Sequence, residues 1–269
     1  MEPAGETPGE ALLRRVRSAE EGPRVAALFD LDRTLIEGYT ATAFLWHRLQ
    51  TRPVSPRELV ATLSATLAYR SGRIGFAAFL RETTAATRGM AESALRELGE
   101  SLFTRHLAAR LYPEALGLIE AHRRRGHFLA IITSATRYQV EPIARRLGIA
   151  FVACNRLEAR AGILTGRILH PVCSGRGKLE AARRFESRHG FELGRSHFYS
   201  DSHEDLPLLE AVGHPAAVNP TARRAAIAAE RGWATHSFRS PAGPLRRRLD
   251  ALGARWLLPG AADARPEAA

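Results

Sequence analysis

The chain has 269 residues, 45% of them hydrophobic, a formal net charge of +11 and only two cysteines, Cys154 and Cys173. That length can bury one large core or a core with a smaller insert, and two cysteines without an export signal argue against a disulfide framework. No apolar run approaches the roughly 18 residues a membrane span needs, and the first residues lack the charged-then-apolar order of a signal peptide. A cytoplasmic protein is the expectation.

The basic excess could suit nucleic acid, but its distribution argues otherwise. Arginines fall in scattered pairs and triplets, such as Arg14-Arg15, Arg123-Arg124-Arg125 and Arg246-Arg247-Arg248, on helical patterns where a solvated face accounts for them. No zinc-finger, RNP or basic-zipper signature accompanies them. We therefore expect a small-molecule partner and no nucleic acid, with the oligomeric state open.

In chain order, residues 1–22 are rich in Gly, Pro and Glu and are expected to be flexible. An apolar strand over roughly 24–30 ends in the carboxylate pair of Asp30-Leu-Asp32-Arg-Thr34. The next clear strand, Gly126 to Ile132, begins some hundred residues on, where a crossover needs only about a dozen. Residues 39–110 therefore read as an insert, with helical patterns from Ala43, over Pro56 to Tyr69, over Phe76 to Thr87 and over Met90 to Leu111. After Thr133 the chain alternates: a helix over 138–147, a strand at 150–153, a short hairpin over 155–170, a helix over 177–189, a strand at 196–200, a helix from about Glu204 and a strand at 215–218. Such alternation predicts a parallel, doubly wound α/β sheet, Rossmann-like, built from 23–38 and 111–237. Residues 238–269 are expected to be a helical or partly disordered tail.

In a parallel sheet the carboxyl ends of the strands share one edge, where ligands bind. Asp30 and Asp32 follow the first strand, Thr133 the second, and Asp201 with Asp205 the strand at 196–200. Of the 39 basic residues one alone is lysine, Lys178, in the Gly-rich helix start Ser174-Gly-Arg-Gly-Lys178. A chain that uses arginine elsewhere keeps lysine where a compact ammonium on a flexible stem is required, and a Gly-rich helix start suits anions. Each residue alone has a plainer reading: Asp30-Leu-Asp32 as an Asx turn, Thr133 as a helix N-cap, the two later aspartates as partners of a helix dipole. Together they supply the carboxylates, fixed positive charge and hydroxyl donor of a phosphoryl-transfer site. His203 reads as an exposed loop histidine, and Cys173 lacks a His/Asn partnership.

The four groups, in the order Asp30-Leu-Asp32-Arg-Thr34, Thr133, Lys178 and Asp201-Ser-His-Glu-Asp205, resemble the motifs of the haloacid dehalogenase superfamily, subfamily IB, the phosphoserine-phosphatase-like branch, over about residues 24–236. The resemblance implies a helical C1-type cap at 39–110 and a Mg2+-dependent phosphatase. It makes Asp30 the nucleophile that forms an aspartyl-phosphate and Asp32 the acid and base. Mg2+ would be held by Asp30, the Asp32 carbonyl and Asp201. Thr133 and Lys178 would bind phosphate, Asp205 would orient Lys178 or a metal-bound water, and Thr34 would brace the first loop. Glu37 and Tyr39, with the insert arginines Arg70, Arg73, Arg81 and Arg88, are candidates to face the leaving group. The chain departs from phosphoserine phosphatases at Glu204, where they usually carry Asn, and at Thr133-Ser-Ala-Thr136, where Ser-Gly-Gly is usual. The expected substrate is thus a small phosphomonoester, phosphoserine or a related phosphorylated amino compound such as histidinol phosphate. The alternatives are a phosphotransferase on the same fold and a basic, nucleic-acid-associated protein without turnover.

Overall fold

The computed structural model describes residues 8–51, 64–65, 67–69, 71, 73–239 and 241. Helix α1 (Pro8–Ser18) leads to strand β1 (Ala26–Phe29) and helix α2 (Thr40–Thr51). Helices α3 (Phe76–Ala85) and α4 (Glu92–Leu102) follow, then a π turn, a 3-10 turn and α5 (Pro113–Arg124). Strand β2 (Phe128–Thr136), α6 (Arg137–Leu147), β3 (Phe151–Asn155) and the antiparallel hairpin β4 (Leu157–Arg160) and β5 (Ile163–Ile168) come next. The chain continues through α7 (Arg176–His189), β6 (His197–Ser200), a 3-10 turn at His203–Asp205, the single-turn α8 (Leu206–Leu209), β7 (His214–Val218), α9 (Ala222–Glu230) and β8 (Ala234–His236).

Six strands form one parallel sheet in the order β3-β2-β1-β6-β7-β8. Counting only strands of this sheet, that is the doubly wound order 3-2-1-4-5-6, in which the chain reverses direction beside β1 and leaves a ligand crevice at the strands' carboxyl ends. β1 is buried along its whole length, and its alternate side chains feed two cores. Ala27 and Phe29 pack with Leu118, Ile119, Ile131, Val140, Ile143 and Tyr199, while Ala26 and Leu28 pack on the other face with Ile132, Ala181, Phe198 and Leu208. Burial on both faces explains why the strand reads as an uninterrupted apolar run.

Residues 1–22 were expected to be flexible, and the structure corrects that for 8–18. Leu12 and Val16, four residues apart and so on one helix face, are 3% and 0% exposed in the first core. The Gly/Pro/Glu content of the segment obscured this short apolar stripe. At the other end, Phe238, at the expected start of the tail, is buried edge-on against Tyr112, 5.6 Å between ring centres. Residues 1–7 and 242–269, Arg70 and most of the pattern over 56–69 lie outside the described residues. Helix α9 and strand β8, which the sequence pattern did not reveal, complete that side of the sheet. Among the described residues no helix is long and apolar enough to cross a membrane.

The insert between β1 and β2 leaves and re-enters through a paired neck. Ile36 bridges Leu111 antiparallel, Glu37 N–H donates to the Arg110 carbonyl at 2.8 Å, and Tyr112 N–H donates to the Leu35 carbonyl at 3.0 Å. The insert is thereby anchored directly beside the end of β1.

Candidate active site

Asp30 is the first residue after β1, and its N–H still donates to the Tyr199 carbonyl of β6 at 2.9 Å. Asp201 is the first residue after β6, so the two carboxylates flank the crevice at the reversal of the sheet. Lys178, in the first turn of α7, reaches between them: its Nζ donates to Asp30 Oδ1 and to Asp205 Oδ2, each at 2.8 Å. All three side chains are buried. Ser200 Oγ also donates to Asp205 Oδ2 at 2.5 Å, whereas Asp205 Oδ1 is buried with no hydrogen-bond partner among the described residues.

Burial pushes the Asp30 carboxyl up to about 7, with Asp205 and Asp201 adding to it and Lys178 opposing it. Burial likewise raises Asp32 to about 7 and Asp201 to about 6. Burial would strip the Lys178 ammonium of its proton, but Asp205 and Asp30 outweigh it and hold the group charged, above its ordinary range.

Asp32 is oriented by the insert. The first N–H of α2, that of Thr40, donates to Asp32 Oδ1 at 2.7 Å, and the Thr40 hydroxyl donates to Oδ2 at 3.3 Å. The carboxylate thus serves as the acceptor that a helix N-terminus requires. Gln139 Nε2 in turn donates to Thr40 Oγ1 at 3.1 Å, tying this contact to α6.

Thr133 lies where the β2–β3 ladder breaks register, between Ile132 and Thr136. Its hydroxyl is buried and accepts the Ala135 N–H at 3.0 Å. The N-cap of α6 is Thr136, which forms a capping box with Gln139. Thr133 is therefore no N-cap.

Several residues that organise the site were not singled out from sequence. Arg33 Nε lies 3.2 Å and Arg224 Nη1 3.3 Å from Asp201 Oδ2, so two guanidinium groups clamp that carboxylate. Arg33 has a left-handed backbone, φ 60°, held by Asn219: Asn219 Nδ2 donates to the Arg33 carbonyl at 2.7 Å and Arg33 Nη2 to the Asn219 carbonyl at 3.2 Å. Asn219 directly follows β7, a polar residue after an apolar strand, and that signal was available. Buried Asn155 links the end of β2 to the loop before α7, its Nδ2 donating to the Ser134 carbonyl at 2.7 Å and its Oδ1 accepting the Cys173 N–H at 2.8 Å. Asn155, which closes the apolar run Phe151-Val-Ala-Cys, carried the same signal, whereas none marks Arg224.

The expected brace, Thr34, is buried, but its hydroxyl has no hydrogen-bond partner among the described residues. Arg33 and Asn219 hold the loop instead. Of the leaving-group candidates, Glu37 is buried in the neck of the insert. Tyr39 is exposed beside Arg33, whose Nη1 is 3.5 Å from the Tyr39 hydroxyl. The structure takes the described arginines of the set elsewhere. Arg73 and Arg81 are exposed, Arg81 pairing with its neighbour Glu82, and exposed Arg88 lies against Gly166 of the β4–β5 hairpin. The insert instead sends Tyr69 toward the fourth motif, its hydroxyl donating to Glu204 Oε1 at 2.5 Å while its ring stacks on Phe79. Ser174 Oγ lies 3.5 Å from Glu204 Oε2. His203 is exposed, and burial pushes the Cys173 thiol up to about 12, so neither is a prepared nucleophile or base.

A doubly wound sheet that gathers acidic side chains and one buried lysine at its reversal defines an α/β protein with its polar site at the carboxyl ends of the strands. The chain belongs to the haloacid dehalogenase-like hydrolase family, which it matches over residues 27–210. It is 32% identical over 218 residues to a Mycobacterium tuberculosis protein named phosphoserine phosphatase SerB1, covering 80% of this chain and 71% of that one. It is 28% identical to a histidinol-phosphatase of Neisseria meningitidis, covering 79% of this chain and 98% of that one. A crystal structure of a Bordetella pertussis protein of unknown function superposes with a TM-score of 0.71 at 29% identity, over 80% of this chain and 98% of that one.

Proposed function

We propose that the chain is a Mg2+-dependent phosphatase that hydrolyses a small phosphomonoester, phosphoserine or a related phosphorylated amino compound such as histidinol phosphate, through an aspartyl-phosphate on Asp30. The observation that carries this reading is Lys178, whose ammonium sits 2.8 Å from both Asp30 and Asp205 in a buried cluster at the sheet reversal.

The residues fit a hard divalent cation. Asp30, Asp201 and Asp205 are three buried carboxylates, the first and last on Lys178 and Asp201 on Arg33 and Arg224, and the donors are oxygen, as Mg2+ prefers. Asp30, Asp201 and the Asp32 carbonyl are the groups that would hold the ion. When bound, Mg2+ supplies positive charge against the phosphoryl oxygens.

The chain's own residues then divide the chemistry. Asp30 attacks phosphorus with a carboxylate oxygen as the bond from phosphorus to the ester oxygen breaks. Asp32, held by Thr40, gives its proton to the departing alkoxide and later takes one from the water that attacks the aspartyl-phosphate, which restores Asp30 and releases phosphate. Lys178 and Thr133 hold the phosphoryl oxygens, and Asp205 with Ser200 keeps Lys178 in place. Residues 39–110 act as a cap that covers the crevice and carries Thr40 and Tyr69 to it. The names of the relatives support an amino-bearing substrate.

The test is hydrolysis of p-nitrophenyl phosphate by wild type and Asp30→Asn, with Mg2+ and with EDTA, followed by a panel that includes phosphoserine and histidinol phosphate. Turnover that EDTA abolishes, that added Mg2+ restores and that Asp30→Asn lacks is expected. Wild-type turnover no higher than that of Asp30→Asn would overturn the enzyme reading.

A further inference from the structure

The opposite edge of the sheet holds a second cluster of chemistry-bearing side chains. His122 lies near the end of α5, His127 immediately before β2, and His197 is the first residue of β6. They are 0%, 6% and 4% exposed, and one ring nitrogen of each lies within 4.8 Å of the other two. Three imidazoles seldom share a buried site without a common partner, because each ring brings a nitrogen lone pair that must be satisfied.

The hydrogen bonds set the tautomers. His127 Nε2 lies 2.7 Å from the Glu20 carbonyl, which can only accept, so His127 carries its proton on Nε2 and its Nδ1 presents a lone pair. That Nδ1 faces His122 Nδ1 at 2.7 Å. His122 Nε2 lies 2.8 Å from the Tyr199 hydroxyl, which can donate or accept. Because His127 Nδ1 can only accept, the 2.7 Å contact places the His122 proton on Nδ1, with Nε2 accepting from the Tyr199 hydroxyl; moving that proton to Nε2, where it is donated to Tyr199, would free both Nδ1 lone pairs for an ion. His197 Nε2 is buried with no hydrogen-bond partner among the described residues.

We propose that His122, His127 and His197 form a second metal site, specific for a borderline transition-metal ion such as Zn2+ and separate from the oxygen cluster at the other edge. Neutral imidazole is a ligand for Zn2+, whereas Mg2+ takes oxygen. The Glu20 carbonyl and the Tyr199 hydroxyl accept from the far nitrogens, as the outer partners of metal-bound histidines do. With metal–nitrogen bonds of about 2.0–2.1 Å, tetrahedral ligand nitrogens stand about 3.4 Å apart. Binding therefore spreads the two close Nδ1 atoms and draws His197 inward, and water takes the fourth position. The ion would join the segment after α1, the end of α5 and the starts of β2 and β6, far from the carboxylates.

The test uses Co2+ as a visible probe on the full, untagged chain carrying Asp201→Asn, in excess Mg2+, so that the carboxylate site does not compete. One Co2+ per chain is expected, with the ligand-field bands of nitrogen coordination and an X-ray absorption edge fitted by nitrogen neighbours. Adding His127→Gln or His197→Asn to that background should remove the bound Co2+, while His214→Ala, whose ring stacks on His197 from outside, should leave it. No Co2+ bound by the chain with its histidines intact, or binding that survives both histidine substitutions, would overturn the proposal. Because the intact-histidine result decides by itself, a substituted chain that fails to fold does not shield it.

Discussion

Lys178 shows how one residue choice separates two chemistries. Its ammonium meets Asp30 and Asp205 from a single nitrogen at 2.8 Å each, a demand for a point charge that the planar fork of arginine cannot meet in a buried space. We predict that Lys178→Arg and Lys178→Met each lower kcat about 10²- to 10³-fold, the usual cost of removing one preorganised charge donor from a reacting oxygen. Lys178→Met should also lose about 3–5 kcal/mol of stability, since it leaves buried carboxylates without their partner. Steady-state kinetics and urea unfolding read the two effects separately. Lys178→Arg within tenfold of wild-type kcat would refute the need for a compact ammonium. Asp201 presents the contrasting case, because its clamps are arginines, Arg33 and Arg224, near the rim where reach matters more than compactness. Arg33 was passed over in sequence because it sits inside a motif whose acidic residues draw attention. Arg224 could not be found there at all, since a helix-face arginine in a chain with 39 basic residues carries no mark of its own.

At the scale of elements, the turn into α7 places that lysine. Gly177 packs so closely that a Cβ would stand 1.9 Å from the Val172 carbonyl oxygen. On helix propensity alone Gly177→Ala would gain up to about 1 kcal/mol. Overlap with backbone cannot be relieved by a rotamer change, so we predict the opposite sign, a loss of about 1–3 kcal/mol by overpacking, with kcat down at least tenfold as Lys178 shifts. Urea unfolding that shows Gly177→Ala to be the more stable chain would refute this. A second element-level contact is that of Tyr69 with Glu204. Tyr69→Phe should change KM severalfold with kcat within about twofold, because the hydroxyl joins the insert to the core without a place in the proton transfers. Equal losses in kcat and kcat/KM would instead place Tyr69 in the chemistry. The elements legible in the sequence were those whose own residues decide them: β1 and β2 as apolar runs ending in polar groups, and α6 and α7 with long periodic faces. Helices α1 and α9 and strand β8 are short and settled by what they pack against, so local pattern did not mark them. The site followed the same division. Asp30, Thr133 and Asp201 at strand ends were readable, whereas Arg33 acts through Asn219, distant in sequence, and Thr40 joins the nearby Asp32 to the distant Gln139.

For the molecule as a whole, the sheet separates two environments, acidic and lysine-bearing at the carboxyl edge and imidazole-rich at the amino edge, and it carries a half-buried thiol, Cys154, a buried one, Cys173, and the buried phenol of Tyr199. Burial pushes Cys154 up to about 11 and Cys173 up to about 12, from an ordinary 9.0, and it raises Tyr199 as well. The linkage has a definite sign. Between pH 9 and 11 the unfolded chain releases thiol protons that the folded chain retains, so the unfolded state gains and stability falls as pH rises. Below pH 9 both states keep the proton and the contribution is complete. We predict a urea midpoint that is flat from pH 7.5 to 8.5 and declines above 9, with a slope of up to about 1.4 kcal/mol per pH unit for each thiol. The Cys154→Ala/Cys173→Ala chain should show a shallower decline, leaving the part due to the tyrosines. The same shift makes the thiols slow to alkylate. At pH 8 folded Cys154, held near 11 by burial, carries about a hundredfold less thiolate than an exposed cysteine, and Cys173 holds still less. Iodoacetamide should therefore label the native chain at least a hundredfold more slowly than the urea-unfolded one, with both sites modified as the sheet opens. Rapid labelling of Cys173 in the native chain would mean that the loop before Lys178 opens independently of the core, and the rigid placement of the lysine would have to be abandoned with it.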